Sequence, residues 1–397
     1  MYYEEKFARR CIVMVKPVTG EEIIKAVQYD VLGKLPNPFI FDDGSEVKTV
    51  EDWEKRRKEI FETAVTLQYG PQPPKPEVFE VEDLYEFSAR VLNYRITAGT
   101  NEKQASFIMQ IFKPEGAKKF PVVVCGDGCW KYANDKEYLN AMLDNGIGFV
   151  LFNRLELAND TRHKGRGNGQ LYKVYPDLDM GALMCWAWGF MRCVDALETF
   201  DFIDKSCITF TGHSRGAKTA MLAGVLDERA HIVNPNETNC GACSCYRIHM
   251  TQICEDGVER RSETLKDLGT NYDFWIGSGM QEYKEREAEL PFDAHYLKAL
   301  VAPRKLCVWE AASDAWTNTI GSWQTTKAAT EVFKLYGKEE NLVWYYRTGT
   351  HFHQPLDIQQ LVKVIKWHMN GEPLDDTFFK TPFKQPELIY DWKCPEK

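Results

Sequence analysis

The 397-residue chain lacks an apolar run of bilayer-spanning length, an excess of positive charge, an internal repeat and a low-complexity tract. The first absence argues against a membrane span. The formal charge of −9, from 49 Lys and Arg against 58 Asp and Glu, argues against nucleic acid, whose phosphates demand a basic surface. A basic start leading into a long apolar segment is also missing. The chain opens Met-Tyr-Tyr-Glu-Glu-Lys, and Cys11 to Val15 is too short for a signal-peptide core. As written it is expected in the cytoplasm, or outside the cell if a leader has been removed. No obligate protein partner is evident.

Cysteine is not scarce: there are twelve, most of them scattered through apolar runs where a small hydrophobe fits. Cys240, Cys243 and Cys245, with Cys254 beyond, form the one cluster. It lacks the second pair or the spaced histidines of a zinc site, so buried thiols are expected and no metal ligands are assigned. A disulfide framework is not expected in a chain this long without a secretory signal.

Apolar residues make up 44% of the chain, enough for a substantial core. Thr49 and Asp52 mark a helix start, after which Trp53, Ile60, Phe61 and Ala64 fall on one face. Tyr69-Gly70-Pro71-Gln72-Pro73-Pro74 ends it. Phe87 to Thr97 and Gln104 to Lys113 alternate like antiparallel strands. Phe120 to Cys125 and Gly146 to Phe152 are continuous apolar runs, as in buried parallel strands. Ser206 to Thr211, Ala230 to Val233, Lys305 to Trp309 and Leu342 to Arg347 add strands. Asp179 to Glu198, Ala217 to Leu226, Thr326 to Tyr336 and Ile358 to Met369 read as helices. This alternation predicts an α/β fold with a mainly parallel sheet and helices on both faces, a three-layer sandwich. One domain over residues 1–397 is expected, with 1–75 as a partly helical extension packed on the core.

The densest chemistry sits at Gly212-His213-Ser214-Arg215-Gly216, between a strand and a helix. That is the context of a G-x-S-x-G nucleophile elbow, whose sharp turn lifts a serine hydroxyl to the C-terminal edge of a sheet. A serine needs a base, and the base an orienting acid, in the order Ser, Asp/Glu, His for this architecture. His351, in the loop after the last strand, is the expected base, with His353 as runner-up; His231 and His368 read as structural. Two acids compete: Asp314, after the strand Lys305 to Trp309, and Glu237, directly after the strand that follows the nucleophile helix. The amide of Arg215 is an expected oxyanion donor, and the loop Gly126-Asp127-Gly128 a second. The cations of Arg215 and Lys218 beside the serine suggest an anionic or hydroxyl-rich substrate.

Gly212-x-Ser214-Arg215-Gly216-x-Lys218 resembles the signature of glucuronoyl esterases, carbohydrate esterase family 15. Pro235 to Gly241, Trp186-Ala187-Trp188-Gly189 with Arg192 and Asp195, Leu35 to Phe39 with Trp53 to Arg57, and Leu290 to Asp293 with Ala302-Pro303-Arg304 are similar to further segments of that family. The likeness runs from about Leu35 to the terminal helix. It implies an α/β-hydrolase fold and cleavage of 4-O-methyl-glucuronate esters in glucuronoxylan fragments, with no cofactor. By this resemblance Ser214 is the nucleophile and His351 the base. Glu237 and Asp314 match two alternative acid positions, and Arg215 helps stabilise the oxyanion. Lys218 and Glu263 contact the sugar, and Trp316 packs on the uronate. Position 213 is His where the family has Cys, so a disulfide beside the nucleophile is excluded. The rival readings are an acetyl xylan esterase or other carbohydrate deacetylase and, more remotely, a non-catalytic glycan-binding scaffold.

Overall fold

The computed structural model describes residues 15–20, 27–88, 90–162, 165–254 and 256–396; residues 1–14 and 21–26, part of the expected N-terminal extension, lie outside these. The strands are β1 (Val27–Val31), β2 (Val78–Ser88), β3 (Val91–Gly99), β4 (Gln104–Phe112), β5 (Phe120–Cys125), β6 (Gly148–Phe152), β7 (Ile203–His213), β8 (Ile232–Asn236), β9 (Ile248–Ile253), β10 (Glu259–Arg261), β11 (Lys305–Ala311) and β12 (Leu342–Arg347). The helices that matter below are α1 (Val50–Ile60), α2 (Ala182–Leu197), α3 (Arg215–Leu226), α4 (Thr319–Leu335) and α5 (Pro355–Asn370).

Nine strands form one sheet in the order β12-β11-β8-β7-β5-β6-β4-β3-β2. Neighbours from β12 to β6 are parallel, and β4, β3 and β2 complete the sheet antiparallel. Burial explains the split. Every residue of β6 is buried, as both-face coverage requires, whereas β4 alternates between buried and partly open positions. The two faces of β5 feed separate cores. Val122 and Val124 join Trp186 and Phe190 of α2, while Val123 and Cys125 join Ile358, Leu361 and Ile365 of α5. Helices therefore cover both sides, as the alternation of strands and helices predicts. A small second sheet, β1-β9-β10, is antiparallel.

Local rules hold at the helix ends. Thr49 caps α1 by accepting from the Asp52 amide at 3.1 Å. Two sequence expectations shift by more than three residues. Phe87 to Thr97 is not one strand: β2 ends at Ser88 and β3 begins at Val91, paired in a hairpin. α4 starts at Thr319, earlier than the expected Thr326. Its first turns carry hydroxyls that are buried because the Lys298 ammonium donates to Ser322 O, Thr325 Oγ1 and Thr326 Oγ1 at 2.8–2.9 Å.

The segments around Leu35 and Ile389 meet. Leu35 N donates to Ile389 O at 2.9 Å and the Trp392 indole to Leu35 O at 3.2 Å, while the Trp392 ring stacks on His295.

His295 and His353 have buried rings, and burial pushes both down to about 4. An unfolded histidine titrates near ~6.5, so between that value and about 4 the unfolded chain binds more protons. The stability these residues contribute is complete above the unfolded value and is lost as pH falls through this window. The urea midpoint, followed by circular dichroism, is expected to drop between pH 7 and pH 4.5. Conversion of His295 to Gln should flatten that drop.

Candidate active site

The serine sits where β7 ends and α3 begins. Ser214 has φ 57° and ψ −120°, a left-handed conformation costly for a residue with a Cβ, of the kind that concentrates at functional sites. Packing enforces it. Ser214 N donates to Asn236 O of β8 at 3.0 Å, and His213 N to Asp127 Oδ2 at 2.9 Å. The flanking glycines are required by close approach: a Cβ at Gly212 would meet the Gly216 carbonyl, and one at Gly216 the Asp127 carboxylate.

Asp127 is wholly buried and also binds the Arg154 guanidinium and the Tyr132 hydroxyl. The loop Gly126-Asp127-Gly128 thus braces the elbow from below. Its Gly128 amide is donated to Phe152 O at 3.0 Å, which takes that donor away from the expected oxyanion role. Asp127 is a residue that sequence reasoning passed over, although it lay inside a loop singled out for its amides.

His351 follows β12 and returns to the serine. The Ser214 hydroxyl donates to His351 Nε2 at 2.9 Å, and His351 Nδ1 donates to Asp314 Oδ2 at 2.5 Å. Those contacts fix the tautomer, because a carboxylate only accepts. Both expected acids reach this ring. Glu237 Oε2 lies 3.6 Å from Nδ1, beyond hydrogen-bond length. Glu237 is itself in the left-handed region, at φ 49°, with its amide donating to Trp309 O at 2.8 Å. Its other oxygen is bound by the Arg347 guanidinium. Arg347, the last residue of β12, is fully buried and also donates to Asp357 at 2.9 Å and to Phe352 O at 2.5 Å. An arginine closing the apolar run Leu342 to Tyr346 was the signal for it.

The remaining expected residues surround this relay. The Arg215 guanidinium pairs with Asp160 at 3.0 Å and lies 4.8 Å from the Trp275 ring, with Trp130 and Tyr272 close by. Trp275 Nε1 donates to the other Asp160 oxygen at 2.9 Å, so one carboxylate holds both. The Arg215 amide opens α3, where no intrahelical acceptor exists. Lys218, one turn further, is almost wholly buried and is bound to Glu263 at 3.1 Å, to Asn239 Oδ1 and to Cys240 O, which commits all three of its protons. Burial raises the Glu263 carboxyl above its ordinary value against the pull of that ammonium. Glu263 N donates to Trp316 O at 3.1 Å, and Trp316 itself is exposed.

His353 is not at the serine. Its ring is buried and stacks on Tyr132 at 4.9 Å. His231 and His368 lie against each other, near Ile208 N and Ser206 O respectively. The cysteine cluster divides between two cores: Cys240 and Cys243 pack in one, Cys245 and Cys254 in another, all as free thiols. Among the described residues no helix is long and apolar enough to cross a membrane.

A strained serine at the tip of a parallel strand, met by a histidine from the loop after the last strand, defines a serine hydrolase of the α/β-hydrolase class. Within that class the chain belongs to the glucuronoyl esterases of carbohydrate esterase family 15. A family model described as fungal glucuronyl esterase matches residues 96–337. The chain is 29% identical over 328 residues to 4-O-methyl-glucuronoyl methylesterase 1 of Wolfiporia cocos, covering 81% of this chain and 76% of that one. Its fold is similar to that of a family 15 glucuronoyl esterase from Caldicellulosiruptor kristjansonii, with a TM-score of 0.77, 28% identity, and 90% and 95% of the two chains covered. The glucuronoyl esterase catalytic domain from Hypocrea jecorina superposes with a TM-score of 0.74 at 25% identity, covering 93% of this chain and 98% of that one.

Proposed function

We propose that this enzyme hydrolyses 4-O-methyl-glucuronate esters carried on glucuronoxylan fragments, within one domain that includes residues 1–75. The observation that carries the reading is the continuous relay of Ser214, His351 and Asp314, at 2.9 and 2.5 Å. Ser214 Oγ attacks the ester carbonyl as His351 Nε2 takes its proton. Asp314 holds the ring and stabilises the imidazolium. The developing oxyanion is met by the Arg215 amide at the start of α3, in the field of the caged guanidinium. The C–O bond to the alcohol breaks as His351 returns the proton to the leaving oxygen. Water then attacks the acyl-serine, again giving its proton to His351; the bond from the carbonyl carbon to Ser214 Oγ breaks as His351 returns that proton to Oγ, and the free uronate departs.

The sugar is recognised on the same side of the sheet. Lys218 exchanges one of its loop bonds for a sugar hydroxyl, Glu263 accepts from another, and the exposed Trp316 packs on the uronate ring. A cation beside the nucleophile suits a product whose new carboxylate stays on the sugar that the site holds, whereas a deacetylase sheds its carboxylate as free acetate.

Side-by-side hydrolysis of benzyl glucuronate and an aryl acetate tests the substrate. A kcat/KM for the glucuronate at least about a hundredfold higher is expected, because a site that binds a polar substrate specifically rejects one lacking those groups. Preference for the acetate would sink the assignment.

A further inference from the structure

We propose that His213, Glu237 and His351 form a binding site for one divalent transition-metal ion of the zinc type, and that its occupation switches the enzyme off. One ligand atom from each of the three residues lies within 4.8 Å of the other two. They come from the ends of β7 and β8 and from the loop after β12, so the sheet itself brings them together. Binding is independent of the esterase reading; only the effect on turnover rests on it.

Two features make this more than proximity. Glu237 is 1% exposed, and its Oε2 has no hydrogen-bond partner among the described residues, although it lies beside the His351 ring. A buried carboxylate oxygen left open is costly unless something fills the place. Its sister oxygen is fixed by Arg347, the outer contact that aims a metal-binding carboxylate. His213 has the matching arrangement. Its Nδ1 faces Asn236 Oδ1 at 3.4 Å, so the proton belongs on Nδ1 and Nε2 keeps a lone pair.

The donor set selects the ion. Two imidazoles and one carboxylate suit zinc or copper, whereas calcium and magnesium demand oxygen ligands in greater number. Local charge favours a cation as well, since Glu237, Asp314 and Asp357 outnumber Arg347. Tetrahedral zinc with bonds of about 2.0–2.1 Å sets ligand atoms roughly 3.4 Å apart, so the three side chains must close in slightly.

Inhibition follows from electron counting. A neutral imidazole has one lone pair. If the ion takes Nε2 of His351, no base faces Ser214. If it takes Nδ1, the proton moves to Nε2 and the base is again lost.

The test uses the intact protein, stripped with EDTA and titrated with Zn2+ by calorimetry and with Co2+ by visible absorption. One ion per chain and a Co2+ ligand-field band are expected, together with loss of glucuronate hydrolysis that EDTA reverses. His213→Phe, which keeps a ring against Tyr132, and Glu237→Gln should each weaken binding at least about tenfold. Should His213→Phe fail to fold, Glu237→Gln in the same titration decides. Absence of a Co2+ band, or binding that these variants leave unchanged, overturns the site. Full turnover with the ion bound overturns the switch. A stripped enzyme inactive on glucuronate esters would instead refute the substrate assignment, and the titration would still be read.

Discussion

Replacing Ser214 with alanine is expected to lower kcat by about 10^6-fold, the scale on which a hydrolase loses its nucleophile when the rest of its site is intact. The residue left behind still carries a Cβ, so the substitution neither relieves nor worsens the backbone strain at φ 57°. It removes one hydroxyl and its 2.9 Å bond to His351, and it leaves the Asp127 brace and the α3 helix untouched. The thermal melt should therefore coincide with that of the parent protein. Residual turnover above the uncatalysed rate would measure what Arg215 and substrate binding supply without covalent catalysis. Hydrolysis near the parental rate would reject the scheme.

The second large effect separates the two carboxylates. Asp314→Asn should cost about 10^3–10^4-fold in kcat, because an amide in place of the acid both fails to stabilise the imidazolium and favours the wrong tautomer. Glu237→Gln, by contrast, should cost only about tenfold, since its oxygen stands 3.6 Å from Nδ1 against 2.5 Å for Asp314. Glu237→Ala has a different signature. It strands the buried Arg347 beside one remaining carboxylate, Asp357, and breaking a buried pair costs about 3–5 kcal/mol of stability. The expected result is a rate defect for Asp314 and a folding defect for Glu237, read by steady-state kinetics and by urea unfolding of the same preparations. The opposite ranking in kcat would make Glu237 the orienting acid.

Legibility in the sequence tracks how local the cause is. β5, β6 and the elbow could be read because each is encoded by its own residues: apolar runs, and two glycines around a serine. The hairpin between β2 and β3 escaped because the sequence there offers no glycine, proline or asparagine, so Phe87 to Thr97 read as one strand. The first turns of α4 escaped because their hydroxyls look like a loop until Lys298, distant in sequence, is buried among them. The site divides in the same way. Ser214 and His351 are placed by the ends of single elements. The choice between Glu237 and Asp314 depends on about 1 Å of relative position across neighbouring strands, set by packing rather than by any pattern along the chain. Arg347 and Asp127 also reach partners, Glu237 and His213, that no pattern along the chain connects to them.

The meeting of Leu35 with Ile389 and Trp392 works as a clasp. Its two halves are separated by 357 positions, so it can fasten only after Trp392 has left the ribosome. Until then His295 lacks its stacking partner and the aromatic pocket around Phe39 stays open on one side. A nascent chain thus carries an uncovered apolar patch until Trp392 arrives, at a place well separated in sequence from Ser214.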